Sequence, residues 1–258
     1  MRANQVGWTS PEVVATLGLG VLLLAGFVAW ERRAPEPMLP LRLFRSRSFA
    51  AANATAFLMV AALSAAAFLA SQYFQVARGV SPLGTGLRFL PWTGMPLLVA
   101  PAAGALSDRV GRRPVMAAGM LLQGVGLAWI ALVATTSVSY AHLVGPLLVG
   151  GVGISMALPT TATAALGAVA PADMGKASGT NVTLQRFGGA FGIAAAAAVF
   201  AANGQLGTPA SFTAGFRPAT AFAAGLSLLG VLSALAVSSR RQPPAAVPSQ
   251  QPAAALTN

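Results

Sequence analysis

The chain is a succession of long apolar runs broken by short clusters of arginine, proline and glycine, with little regular alternation inside the runs. A helix needs roughly 20 apolar residues to cross the hydrocarbon core of a bilayer. Runs of that order lie at about 11–30, 49–75, 84–106, 114–134, 141–170, 177–202 and 218–238. They are too long and too weakly alternating for barrel strands, so spanning helices are the architecture in which every backbone amide finds a partner. The pattern predicts an all-α, polytopic membrane helical bundle of about seven transmembrane helices.

Composition agrees. Hydrophobic residues make up 55% of the 258 and charged ones 8%, with a mean hydropathy of +0.70, outside the range of a soluble domain with a charged surface. The expected surroundings are a lipid bilayer, in a multi-pass protein of a bacterial inner or plasma membrane. The formal net charge of +11 follows the loops. Arg32, Arg33, Arg42, Arg45, Arg47, Arg109, Arg112, Arg113, Lys176, Arg240 and Arg241 fall in alternate loops on one side. Arg2, Arg78, Arg88 and Arg217 fall on the other, 11 against 4 with Arg186 set aside. The positive-inside rule makes the richer side cytoplasmic, with the start of the chain outside and its end inside. No stacking aromatics accompany these arginines, which argues against a nucleic-acid partner.

Residues 1–30 then form a short extracytoplasmic lead and the first helix. That helix is retained rather than cleaved as a signal peptide, because its apolar run reaches spanning length and no small-residue cleavage site precedes Glu31-Arg32-Arg33. Residues 31–48, with Pro35, Pro37, Pro40 and a basic cluster, read as a stiff cytoplasmic connector. Six helices follow over 49–238 in two groups of three, 49–134 and 141–238. The segment 239–258 mixes Pro, Gln and Ala without helical periodicity and should be a disordered cytoplasmic tail.

Between two of the runs stands Gly104-Ala105-Leu106-Ser107-Asp108-Arg109-Val110-Gly111-Arg112-Arg113-Pro114, which puts four charges and two glycines into a short turn. A turn that short makes its flanking helices antiparallel neighbours. Gly104 permits close helix contact, Asp108 can sit against the positive end of a helix, and the arginines can pair with it or with lipid phosphates, so the turn can latch two helices reversibly. With Gly104, Leu106, Asp108, Arg109, Gly111, Arg112 and Arg113 in this order, it resembles the G-x-L-x-D-R-x-G-R-R loop motif of the major facilitator superfamily, which lies on the cytoplasmic side of those transporters.

Three further stretches resemble the fourteen-helix drug:proton antiporters of that superfamily, in the same order. They are Glu36-Pro37-Met38-Leu39-Pro40-Leu41, the junction from Tyr73 to Pro91, and Ala177-Ser178-Gly179 followed by Gly188-Gly189-Ala190-Phe191-Gly192. The resemblance covers nearly the whole chain. It implies the C-terminal half of such a transporter plus one preceding helix, a half whose triplets are inverted repeats. The implied activity is drug or small-molecule efflux, coupled to protons in the complete protein. An N-terminal half outside this chain is the implied partner, carrying the intramembrane acid and the first copy of the loop motif.

Within the bundle Gly145, Gly150, Gly151 and Gly153, and likewise Gly188, Gly189 and Gly192, can bring backbones together, although glycine is common in membrane helices anyway. Pro91, Pro96 and Pro101 should bend or locally unwind the third helix. No carboxylate falls at mid-membrane depth, since Glu12 lies near a helix end and Asp108 and Asp173 in loops. Arg186 is the exceptional charge. It lies about 15 Å along its helix from Lys176 and either snorkels or faces a cavity. His142 reads as an interfacial residue at a helix start.

Candidates for a substrate path are Asn53, Gln72, Tyr73, Gln75, Trp92, Gln123, Met156, Thr160, Asn181, Gln185 and Arg186, with Asn181 and Gln185 on one face at i,i+4. A few hydrogen-bonding groups among greasy ones suit small amphipathic substrates, while each polar one could equally serve as an interhelical hydrogen bond. With one His, no Cys and five acids in all, neither a metal cluster nor a nucleophile–base set can be assembled, so an enzyme, a metal site and a cofactor are all unexpected. A seven-helix photoreceptor is excluded too, because the only lysine, Lys176, falls in a predicted loop. Two readings remain: a facilitator drug transporter present as its C-terminal half, or a non-transporting membrane fragment or assembly partner that keeps the half-fold.

Overall fold

The computed structural model describes residues 11–34, 37–38 and 41–238; the expected lead at 1–10 and tail at 239–258 lie outside the described residues. Helix α1 is Pro11–Glu31 and α2 is Arg47–Gln72, extended by a π turn, Tyr73–Ala77. Then come α3 (Pro82–Thr93), α4 (Met95–Val110), α5 (Arg112–Val133), α6 (Tyr140–Leu166), α7 (Met174–Asn203) and α8 (Pro209–Leu235). Short 3-10 turns, Leu41–Arg45 and Pro171–Asp173, lead into α2 and α7. With α3 and α4 taken as one interrupted span, 7 helices among the described residues are long and apolar enough to cross a membrane, the number the apolar runs predict.

Local chemistry sets the helix ends. Ser46 accepts from the Phe49 amide at the start of α2, and Ser81 caps α3 just ahead of Pro82. A reciprocal capping box between Thr208 and Ser211 opens α8 at Pro209 rather than at 218. Arg217, expected in a loop, is therefore helical. Its Nε donates to the Ala131 carbonyl at 2.9 Å and Nη2 to that of Leu132 at 3.4 Å, covering carbonyls in the last turn of α5. Asp108 and Lys176 also leave their expected loops, for the last turn of α4 and the first turn of α7. The turn between α4 and α5 contracts to Gly111 alone, at φ 94° and ψ 159°.

The proline-rich span breaks at Gly94, between Pro91 and Pro96. Pro96 has no amide to return to Trp92. The freed Trp92 carbonyl faces α6, where a Cβ on Gly151 would stand 2.7 Å from it. Backbones also meet at Gly188 and Gly192, where α7 crosses α2, and at Gly153, where α6 crosses α5. Gly150 belongs to the same α5–α6 approach, since a Cβ on Gly126 would stand 2.6 Å from its amide nitrogen, whereas Gly145 stands at ordinary van der Waals distance from the Trp129 ring and Gly189 faces the Ser64 side chain.

The packing has a two-fold pattern. Helix α2 packs on α7 and α8, α5 on α6 and α8, and the α3–α4 span on α6. Exchange α2, α3–α4 and α5 for α6, α7 and α8 in that order, and the pattern maps onto itself: α2 on α7 becomes α6 on α3–α4, α2 on α8 becomes α6 on α5, and α5 on α8 returns itself. An inverted repeat produces this equivalence. The two triplets thus interlock instead of standing as separate groups. The mates α3–α4 and α7 are the least buried of the six spans after α1, at 11% and 22% of their most apolar stretch against 44% or more for the others.

Candidate functional site

Helices α2 and α7 start at the same end of the bundle, so Asn53, ~9 Å beyond Arg47, and Asn181, ~10 Å beyond Met174, meet at similar depth. Asn181 Nδ2 donates to Asn53 Oδ1 at 3.0 Å and Gln185 Nε2 donates to Asn181 Oδ1 at 2.6 Å. Asn53 Nδ2 in turn donates to the Phe49 carbonyl at 2.9 Å. The three amides form a one-way relay from half-buried Gln185 to buried Asn53, each link polarising the next in a low dielectric. Breaking it with Asn181→Leu leaves Asn53 Oδ1 buried without its donor. A loss of about 1 kcal/mol is expected, with a coupling to Asn53→Leu of about 0.6–1.7 kcal/mol in a double-mutant cycle of unfolding in detergent. Additive losses would mean that the two amides do not cooperate.

One residue beyond the relay, Arg186 is exposed and makes no hydrogen bond or ion pair among the described residues. It lies ~18 Å from Met174 and ~26 Å from Asn203 along α7. Gly179, Thr183, Arg186 and Ala190 succeed one another on one exposed stripe. On its flank Phe57 of α2 meets Phe187 and Phe191, with ring centroids 6.0 and 5.5 Å apart. By contrast, the exposed surface of α1 carries Val21, Leu22, Leu23, Leu24, Phe27 and Trp30.

The other candidates do not join this group. Gln72, Tyr73 and Gln75 lie at the far end of α2, about 28 Å from Asn53. Tyr73 is buried, stacked on Phe216 at 4.7 Å, and donates to the Thr135 carbonyl at 2.6 Å. Gln75 is exposed and donates to Ser71 Oγ at 3.0 Å, while Gln72 is half-buried. Trp92 borders a cavity among α2, α3, α5, α6 and α8 that leaves about 20 Å³, room for one water and not for a drug. Gln123 is fully buried and donates to the Met59 carbonyl at 3.2 Å, its Oε1 meeting no donor among the described residues. Thr160 turns its hydroxyl back onto the carbonyls of Met156, itself half-buried, and Ala157 at 2.7 and 3.0 Å. One greasy cavity holding all the candidates does not form, because these side chains bond to groups of their own or an adjacent helix or pack on rings, and the far end of α2 lies about 28 Å from Asn53.

At the arginine-rich end, Leu106, Asp108 and Arg109 are exposed and Arg112 and Arg113 half-buried. Asp108 makes no hydrogen bond or ion pair among the described residues and so does not cap α5. It stands in the last turn of α4, where the helix dipole disfavours an acid, as the first turn of α5 disfavours Arg112 and Arg113. No atom lies within 4 Å of where a Cβ on Gly104 would stand, so the close contact expected of it is not made among the described residues. An ion pair that sequence reasoning missed joins Arg42 to Asp173 at 2.7 Å and ties the Leu41–Arg45 turn to the start of α7. Nearby, the Ser238 amide donates to Ser48 Oγ at 3.0 Å and brings in the end of α8. His142 shares a 2.7 Å hydrogen bond with Ser139 at the start of α6.

The sequence profile of the Major Facilitator Superfamily matches residues 3–192 and, in an overlapping second match, 51–257. The multidrug resistance protein Stp of Mycobacterium tuberculosis (strain ATCC 25618 / H37Rv) is 34% identical over 202 residues, which cover 78% of this chain and 37% of Stp. The tetracenomycin C resistance and export protein of Streptomyces glaucescens is 32% identical over 196 residues, covering 75% of this chain and 36% of that protein. The lincomycin resistance protein of Streptomyces lincolnensis is 34% identical over 194 residues, covering 74% and 40%. This chain therefore spans well under half the length of these relatives.

Proposed function

The chain belongs to the Major Facilitator Superfamily, and we propose that it works as the C-terminal half of a drug exporter in a bacterial plasma membrane. Membership makes it a multi-pass membrane protein of a transporter family, not an enzyme, set in lipid and built for small-molecule substrates. The observation that carries the finer reading is the pair of symmetry-related spans, α3–α4 and α7, left open on an otherwise packed bundle. A facilitator closes two six-helix halves alternately around a site at their interface. The open spans are where a second half would sit, and the polar stripe of α7 would then line the path. The names of the relatives, which speak of multidrug, tetracenomycin C and lincomycin resistance, support small amphipathic substrates.

Among the described residues no carboxylate stands at mid-span, Glu31, Asp108 and Asp173 all lying at helix ends. Proton coupling is therefore assigned to the other half. The break at Gly94 supplies a hinge, and the turn at Gly111, with exposed Asp108 beside half-buried Arg112 and Arg113, supplies a latch against that half or against lipid phosphates. The test is dye accumulation in an efflux-deficient bacterium expressing this chain, the N-terminal half of a full-length relative, or both. Lowered accumulation is expected only with both. Lowered accumulation with this chain alone would place coupling within it, and no lowering in any strain would sink the split-transporter reading.

A further inference from the structure

We propose that Arg186 binds the carboxylate of an amphipathic aromatic acid inside the path, an inference that rests on the transporter reading above. Arginine near the bilayer centre is tolerated where it reaches the interface, meets water or finds an anion. Arg186 lies ~18 Å and ~26 Å from the two ends of α7, in a bilayer whose hydrocarbon core is about 30 Å thick. Centred on that core, the ~44 Å helix overhangs it by ~7 Å at each end, which leaves Arg186 ~11 Å inside the nearer boundary, a few ångströms beyond the ~7 Å reach of its side chain.

The stripe on which it stands carries no large apolar side chain, although Val182, Phe187, Phe191 and Ile193 are exposed on the adjoining faces of α7. Gly179, Thr183 and Ala190 continue the exposed stripe on which it stands, whereas the exposed leucines and aromatics of α1 show what this chain presents to acyl chains. Among the described residues the guanidinium has no ion-pair partner, and no described acid stands at mid-span. The missing counter-charge is an acid from outside the chain. A planar guanidinium takes a carboxylate through two parallel hydrogen bonds.

Two features beside it select what carries that carboxylate. The relay of Asn53, Asn181 and Gln185 pins α7 to α2 one residue before Arg186, so the cation is held on a fixed stretch of backbone. Phe57, Phe187 and Phe191 give an aromatic wall on the adjoining face. A cation with an aromatic cluster on the adjoining face of its helix fits a small molecule with an aromatic body and an acidic end.

The experiment uses the whole chain in lipid nanodiscs, with empty nanodiscs as the blank. Its probes are dansylglycine and the neutral methyl ester of dansylglycine, read by fluorescence. The acid is expected to bind saturably and at least tenfold more tightly than the ester. Arg186→Gln should abolish that preference with an unchanged thermal unfolding midpoint, which shows that the fold is intact, and Arg186→Lys should keep part of it. Equal binding of acid and ester, or an unchanged preference in Arg186→Gln, overturns the assignment. So does absence of saturable acid binding to the wild-type chain, which would leave an acidic side chain elsewhere in the transporter as the counter-charge. Because these measurements need no second half, their failure is distinct from a failure of the co-expression assay.

Discussion

Replacing Gly192 with leucine should part α7 from α2 and lower the stability of the chain in detergent by about 3 kcal/mol, the upper range for overpacking a site that cannot relax. A Cβ at this position would fall on the carbonyl, the carbonyl carbon and the Cα of Ala61. These are backbone atoms in mid-helix, and no rotamer change moves them aside. One turn earlier, Gly188 stands in the same relation to Phe57, so the two helices touch over a full small-xxx-small step. The same substitution at Gly179, where nothing lies within 4 Å, should leave stability unchanged or slightly raised. Thermal unfolding of the two variants side by side decides it. Equal midpoints would show that α7 is not seated on α2 through Gly192.

How far the sequence carried depends on what each feature requires. The spans were legible because an apolar run of spanning length depends only on neighbouring residues, and the glycines of α6 and α7 because small residues mark close helix faces whatever the partner. The last helix starts at Pro209, ahead of the apolar run at 218–238, with Arg217 inside it. The sequence held the signal for this start in Thr208-Pro209 followed by Ser211, a helix-start pattern. Arg217 is helical because its charge finds the carbonyl end of α5, a partner that only folding supplies.

Contacts between distant segments were out of reach. The Arg42–Asp173 pair joins residues 131 apart, and Asn53 finds Asn181 across 128, although the i,i+4 step from Asn181 to Gln185 was visible. The two-fold packing left no trace in residue identity, because it resides in which helices touch and not in which residues do so. Depth was legible in principle: nineteen residues separate Asn53 from Gln72, and at 1.5 Å per residue that alone keeps them from sharing one cavity. Of the candidates at that far end, Tyr73 packs on Phe216 and bonds the Thr135 carbonyl across the bundle, while Gln75 bonds to Ser71 of its own helix.

The turn between α4 and α5 gives the second large effect. Gly111 combines φ 94° with ψ 159°, a backbone region that glycine alone enters without strain. Nothing lies within 4 Å of a Cβ placed there, so a side chain would meet no clash and the whole penalty of Gly111→Ala would be conformational, about 1–3 kcal/mol. Gly104 supplies the internal control. It is helical, its Cβ position is equally open, and Gly104→Ala should stabilise by up to about 1 kcal/mol through helix propensity. Two glycines of one motif are thus expected to answer the same substitution with opposite signs. The reason is that α4 stops at Val110 and α5 starts at Arg112, with a single residue to reverse the chain. Denaturant titration of both variants in the same detergent measures the difference. Midpoints that shift together would mean that the reversal is held by contacts elsewhere and not by the backbone of Gly111.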